Sequence, residues 1–229
     1  MHSDFCLTPE FFRFFEDLRA NNNREWFAEN KPHYQKHVLE PLKELVIEFA
    51  PALQAISPHY QAIPKANGGS IFRIYRDVRF SRDKRPYKEH GACQFRHEQG
   101  KNAHAPGFYL HMQPDSVFFG GGIWMPPNPV LHRIRERIAD NPNAWGEIRT
   151  QAEASSVKGI SGDGLTRPPR GFGADTPHLE DIKRKSFFCM AQASPDLCLS
   201  KAFLPTVEQA FRDASPLLEF ICDALEVPF

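Results

Sequence analysis

The order of helical and extended patterns along the chain constrains its fold more than any other feature of the sequence. Apolar residues recur at helical spacing up to about residue 55, for example at Phe11, Phe14, Phe15 and Leu18, and again after residue 130. Between residues 70 and 124, short extended segments alternate instead with Gly, Pro, Asn and Asp. Helices before and after an antiparallel sheet are typical of α+β proteins, whereas a doubly wound fold alternates strand and helix. We therefore expect one α+β domain over residues 1–229, with helices packed on one face of the sheet.

The individual elements follow from the same patterns. The predicted strands are residues 70–75, 91–97, 108–113, 117–123 and 186–192. The predicted helices start near Thr8 and continue with residues 24–30, 33–55, 130–139, 143–154, 178–184 and 203–225. Pro41 and Pro51 should interrupt or kink the helix over residues 33–55, and Pro216 should break the helix over residues 203–225, because proline lacks the amide proton that a helix requires. The Gly- and Pro-rich residues 158–177 should form a long loop.

Composition excludes several classes of protein. The chain has 28 basic and 28 acidic residues, and this neutral balance argues against electrostatic coating of nucleic acid. The first residues lack a basic region followed by an apolar run, so no signal peptide is predicted. No apolar run approaches the ~20 residues that a membrane helix needs. The five cysteines are scattered and odd in number, which favours free, mostly buried thiols and a cytoplasmic location.

The strongest functional signal is residues 73–88, which we call the arginine-rich segment. It carries seven cations against Asp77 and Asp83. On a strand, Arg73 would lie among apolar neighbours, where a cation is costly without an anionic partner. Two interpretations stay open together. The aspartates can hold the segment in shape through bidentate arginine pairs, and the surplus cations can bind a phosphate or carboxylate group.

Further candidates lie on the predicted strands. Residues 120–122 are three glycines before Trp124, which could line a ligand pocket or form a bulge or tight bend. Histidines recur every seven residues from position 90 to 111, yet no HxH or HExxH pair accompanies them, so no metal site is predicted. Cys93 is expected to be a small buried residue, and no cofactor is predicted. The predicted ligand-binding residues are Arg73, Arg76, Arg79, Lys84, Tyr87, Gly121, Gly122 and Trp124. The candidates for proton transfer are Asp77, Tyr87 and His111.

Several motifs carry a resemblance to a known family. They are NNREWF (22–27), RDVRFS (76–81) followed by Asp-Lys and Pro-Tyr-Lys, PGFYLH (106–111), GGGIW (120–124) and RPPRGF (167–172). In these motifs the chain resembles the DUF2461 family over nearly its whole length. The resemblance implies a fold-sized unit and supplies no catalytic residues.

Three hypotheses for function follow from the residues. The first is a site at the sheet for an anionic small molecule, such as a phosphate ester or nucleotide, with enzymatic activity left open. The second is a single-stranded nucleic-acid-binding module, in which Phe72, Tyr75, Phe80 and Tyr87 interleave with cations; the neutral net charge disfavours it. The third is a structural or interaction protein whose arginines form internal ion pairs. The oligomeric state is left open, and no membrane partner is expected.

Overall fold

A computed structural model describes residues 4–100 and 104–229. Its helices are α1 (Pro9–Ala20), α2 (Arg24–Tyr34), α3 (Glu40–Ile56), α4 (Asn128–Asp140), α5 (Pro142–Ala154), α6 (Leu179–Ile182), α7 (Pro195–Cys198) and α8 (Phe203–Leu225). Its strands are β1 (Tyr60–Gln61), β2 (Gly91–His97), β3 (Gly107–Gln113), β4 (Ser116–Ile123) and β5 (Phe187–Ala193). The strands form one antiparallel sheet in the order β1-β2-β3-β4-β5. The predicted α+β class is confirmed.

Helices cover one face of the sheet, which we call the inner face. Alternate side chains of β2, β3 and β4 point to it, so Phe95, Phe108 and Phe119 are buried. Helix α8 supplies the opposing layer, because its residues 207, 211, 214, 218, 221 and 225 recur every three or four positions and are all buried. The ring of Phe211 stacks on that of Phe108, with centroids 4.6 Å apart. No helix in the described residues is both long and apolar enough to span a bilayer.

The prolines have different effects in the helices. A π-helical segment, Gln35–Leu39, joins α2 to α3 just before Pro41, where proline leaves a preceding carbonyl without its helical donor. Helix α3 continues through Pro51. The predicted break at Pro216 is wrong, since α8 runs unbroken from Phe203 to Leu225. Buried apolar residues on both sides of Pro216 stabilise the helix by more than the roughly 3 kcal/mol that an internal proline costs.

The prediction of a strand over residues 70–75 is also wrong. Ser70 and Phe72 share single hydrogen bonds with the edge of β2, and the regular edge strand is instead the short β1. Ile71 and Ile74 are both buried, a spacing of three that a strand with period two cannot satisfy. Arg73 is exposed, so the expected burial of this cation among apolar neighbours does not occur.

Candidate functional site

Three glycines shape the face of the sheet opposite the helices, which we call the outer face. Across it, one row runs from Arg96 through Gly107 and Gly122 to Phe188. The adjacent row runs from Gln94 through Tyr109 and Gly120 to Met190. Because glycine has no side chain, Gly107, Gly120 and Gly122 leave a trough in the middle of the sheet, which is bordered by Tyr109 and by side chains of β2 and β5.

Two of these glycines, Gly120 and Gly122, also allow β4 and β5 to approach closely. A Cβ atom at Gly120 would lie 2.1 Å from the carbonyl oxygen of Cys189, and one at Gly122 would lie 2.2 Å from that of Phe187. Gly122 also has a φ of +147°, which L-residues rarely adopt. Residues 120 and 122 therefore need to be glycine for the two strands to pack closely, and Gly122 also lines the cavity described next.

A cavity of about 560 Å³ occupies the trough, and we call it the outer-face cavity. Its lining is mainly aromatic and comprises Phe72, Gln94, Gly107, Tyr109, Phe118, Gly122, Trp124, Phe188 and Met190. A neighbouring cavity of about 490 Å³ shares Gln94, Gly107, Gly122 and Trp124 with it and is also lined by Arg96 and His104. Apolar walls with a few polar groups, at volumes of roughly 300–1,000 Å³, are typical of small-molecule sites.

A hydrogen-bonded chain begins at Tyr109 on the wall of the outer-face cavity. The Tyr109 hydroxyl lies 3.0 Å from Nδ1 of His111, whose Nε2 lies 3.3 Å from Oε1 of Gln113. The Gln113 amide in turn donates to Asp115 at 2.7 Å, and Arg19 donates to the same carboxylate. Burial raises the pKa of Tyr109 to about 12, so it is a neutral phenol at physiological pH. Burial lowers the pKa of His111, which is therefore a neutral imidazole there.

The arginine-rich segment is anchored to α2. Tyr75 and Tyr87 pair across the segment in an isolated β-bridge, and the Tyr87 ring stacks on Phe27 with centroids 4.1 Å apart. The side chain of Asn22 accepts from the amide of Tyr87 and donates to its carbonyl, each at 3.1 Å. Asn23 caps α2 by accepting from the amide of Trp26 at 2.9 Å. The Asn-Asn motif thus starts a helix and holds the base of the segment.

Most cations in this segment bind groups of the segment itself or its base. Arg79 forms a two-pronged pair with Asp77, which lowers the pKa of Asp77 to about 2. Asp83 accepts from both Arg76 and Arg85, and these bonds lower the pKa of Asp83. Arg85 also reaches Glu89 at 2.6 Å. The ammonium of Lys84 donates to the carbonyl of Val78 at 3.0 Å.

The tip of the segment is exposed. Phe80 is 97% exposed, and the guanidinium of Arg79 lies 5.9 Å from its ring centroid. Tyr75 is more than half exposed. Arg73 and Arg82 are exposed and form no salt bridge with any described residue. The ammonium of Lys88 donates to the carbonyls of Arg73 and Tyr75.

The predicted ligand-binding residues therefore occupy different places. Gly122 and Trp124 line both cavities of the outer face, whereas Gly121 faces the helices, where a Cβ atom would lie 2.7 Å from Leu218. Neither cavity is lined by the other predicted residues, which are Arg73, Arg76, Arg79, Lys84 and Tyr87. The ring of Tyr87 is buried, and burial raises its pKa.

The main residues that line the two cavities were not among the predicted ligand-binding residues, although Phe72 was a candidate stacking residue in the nucleic-acid hypothesis. They are Phe72, Gln94, Arg96, Tyr109, Phe118, Phe188 and Met190. The signal that could have found them is the alternation in β3, β4 and β5, where every second residue faces the trough. Gly107, Gly120 and Gly122 fall on that same alternation.

The four regularly spaced histidines do not converge. His97 lies on the inner face and bonds the carbonyl of Pro228 at 2.8 Å, whereas His111 lies on the outer face with its ring centroid 4.2 Å from that of His90. His104 is exposed beside the neighbouring cavity. Within residues 4–100 and 104–229, no cluster of three His, Cys, Asp or Glu side chains could hold a metal ion. Cys93 is buried as expected, and burial raises its pKa to about 12.

Comparison with known proteins identifies the family of this chain. No curated protein matches the chain. A family model described as "Conserved hypothetical protein (DUF2461)" matches residues 10–220. That match includes every strand, the outer-face cavity and the arginine-rich segment. The chain therefore belongs to the DUF2461 family.

Proposed function

We propose that this protein binds a small planar molecule bearing a phosphate or carboxylate group in the outer-face cavity. The observation that carries the proposal is the trough over Gly107, Gly120 and Gly122, which has aromatic walls. Aromatic faces favour flat, apolar ligand groups, because stacked rings gain contact area and complementary charge distributions. The two cavities together suit a ligand whose aromatic rings lie in the outer-face cavity and whose anionic group lies in the neighbouring cavity.

Arg96 is the group we assign to the anionic end. It lines the neighbouring cavity, and its only hydrogen bond among described side chains runs from Nε to Gln94 at 3.1 Å. Neither of its terminal nitrogens bonds a described residue, so both can bind a carboxylate or phosphate in the two-pronged geometry that guanidinium favours. Arg76, Arg79 and Arg85 differ, since each already holds a carboxylate.

The test is calorimetric titration with 2-naphthoate, a planar carboxylate, and with the neutral 2-naphthamide. Replacing Arg96 by Gln should weaken 2-naphthoate binding about tenfold, since a charged hydrogen bond contributes roughly 1.5 kcal/mol. It should change 2-naphthamide binding far less. Arg79→Gln is the matched control, because Arg79 is an exposed arginine outside the cavities. No binding of 2-naphthoate by the wild type, or equal effects of the two substitutions, would contradict the proposal.

The exposed tip favours a second candidate function, single-stranded nucleic-acid binding. Phe80 offers a free ring face beside Arg79 and Arg82, and stacking on one base contributes about 1–3 kcal/mol. Anisotropy titrations of a labelled oligothymidine at several salt concentrations test it. Binding with a steep salt slope that is lost in Phe80→Ala supports this candidate, and no binding at low salt removes it.

The cellular location we propose is the cytoplasm. Cys6, Cys93, Cys189, Cys198 and Cys222 are all free thiols, and only Cys6 is exposed. Free thiols persist in a reducing compartment.

A further inference from the structure

The hydrogen bonds that link Tyr109, His111, Gln113 and Asp115 beside the outer-face cavity each have a defined donor and acceptor. The Asp115 carboxylate can only accept, so Gln113 directs its Nε2 to it at 2.7 Å. The opposite atom of that amide, Oε1, therefore faces Nε2 of His111 at 3.3 Å. A carbonyl oxygen also only accepts, so Nε2 of His111 carries the ring proton.

Tyr109 consequently uses its proton on His111 and can only accept a hydrogen bond from a ligand in the cavity. With its proton on Nε2, neutral His111 presents a lone pair at Nδ1, and the Tyr109 hydroxyl donates its only proton there at 3.0 Å. The opposite tautomer would place two acceptors, Nε2 and Oε1, against each other. Tyr109 lines the cavity, and its oxygen makes no second hydrogen bond with any described residue. Its remaining lone pair can therefore accept from a ligand.

The surroundings of His111 keep it neutral. Its ring stacks on Phe118 at 4.4 Å and contacts His90 at 4.2 Å. Burial lowers the pKa of His111, partly opposed by Gln113 and by Asp115. Burial, His111 and then Lys88 lower the pKa of His90 to about 3, so His90 is also neutral. Arg19 offsets the charge of Asp115, with which it forms a salt bridge at 3.3 Å.

We propose that Tyr109 selects, among planar anionic ligands, those whose ring system carries a hydrogen-bond donor such as a phenol hydroxyl or ring N–H. This selectivity rests on the proposed function, because it concerns the ligand of the same cavity. A ligand without a donor would bury the Tyr109 oxygen unpaired, and a ligand acceptor at that point would meet lone pair against lone pair. The ligand class is thereby narrowed to hydroxylated or N–H-bearing aromatic acids.

Paired probes test the selectivity at pH 7.5. The 3-, 6- and 7-hydroxy-2-naphthoates are compared by calorimetry with their methoxy counterparts, and unsubstituted 2-naphthoate is the reference. At least one hydroxy isomer should bind about tenfold more tightly than its methoxy partner. Tyr109→Phe should bring that ratio close to one, whereas Tyr75→Phe, an exposed tyrosine outside the cavity, should keep it.

Two further readouts test the chain behind Tyr109. Gln113→Leu removes the acceptor that fixes the His111 tautomer, so the hydroxy-to-methoxy ratio should fall. Lowering the pH below the His111 pKa protonates Nδ1, which then donates to Tyr109 and frees the phenol proton for the ligand. The ratio should fall or invert there.

The outcomes separate the two proposals. If neither 2-naphthoate nor any of its hydroxy derivatives binds, the proposed function fails. If 2-naphthoate binds while every hydroxy and methoxy pair binds equally, only the selectivity fails. The role of Tyr109 is also overturned if Tyr109→Phe leaves the hydroxy-to-methoxy binding ratio at its wild-type value. The same holds if neither Gln113→Leu nor low pH changes that ratio.

Discussion

Removing the Trp124 side chain should weaken ligand binding with little effect on folding. The side chain is 69% exposed and lines both cavities of the outer face. Of the roughly 250 Å² that a tryptophan can bury, about 170 Å² is therefore free, and a ligand against one ring face would cover about half of that. At about 25 cal/mol per Å², Trp124→Ala should cost about 2 kcal/mol of binding free energy, or about 30-fold in Kd.

The assay is calorimetric titration of 2-naphthoate into the wild type, Trp124→Ala and Phe80→Ala. Phe80 is the matched control, because it is an even more exposed aromatic residue that lines neither cavity. The free energy of unfolding of Trp124→Ala should change by less than about 1 kcal/mol, since exposed side chains contribute little to stability. A Kd for Trp124→Ala within twofold of wild type, or an equal loss in Phe80→Ala, would refute the placement of the ligand.

Two other predictions concern the structure around the cavity. Gly120→Ala places a Cβ atom only 2.1 Å from the carbonyl oxygen of Cys189, which is a severe clash. In urea titrations this variant should lower the free energy of unfolding by at least ~3 kcal/mol. Gly173→Ala is the control and should have almost no effect on the free energy of unfolding, because no atom lies within 4 Å of its added Cβ. The pKa of His90 is about 3 when folded, against 6.5 as the ordinary value, so the unfolded chain takes up its proton first as the pH falls. Stability should consequently drop by about 2 kcal/mol between pH 7 and pH 5 through this residue. That part of the drop should disappear in His90→Phe, and an unaltered pH dependence of unfolding in this variant would contradict it.

Much of the fold could be predicted from the sequence because local pattern and tertiary structure agree. The four longer strands and the helices α4, α5 and α8 lie within a few residues of their predicted limits, whereas α6 is shorter than predicted and the four-residue α7 was not predicted. The strand predicted over residues 70–75 failed because Ile71 and Ile74, the two buried isoleucines of this segment, are three positions apart, whereas a strand alternates with period two. The two-residue strand β1 carries too little pattern to be recognised.

The site was harder to predict because apolar residues occur on both faces of the strands. Phe118 and Phe119 are adjacent, and only the packing of α8 shows that Phe119 belongs to the core and Phe118 to the cavity wall. The carboxylate partners of the arginines were easier to predict from the sequence, because Asp77 and Arg79, for example, are only two residues apart. The clamp between Asn22 and Tyr87 joins residues 65 positions apart, and no local rule predicts it.

The most direct test of ligand binding on the outer face is an NMR titration of the methionine methyl groups with 2-naphthoate. Met190 lines the outer-face cavity, whereas Met112 is fully buried on the inner face of the same sheet. An aromatic ligand in the cavity should shift the Met190 methyl resonance through its ring current and leave that of Met112 in place. Binding that shifts Met112, or that leaves Met190 unmoved at saturation, would contradict ligand binding on the outer face.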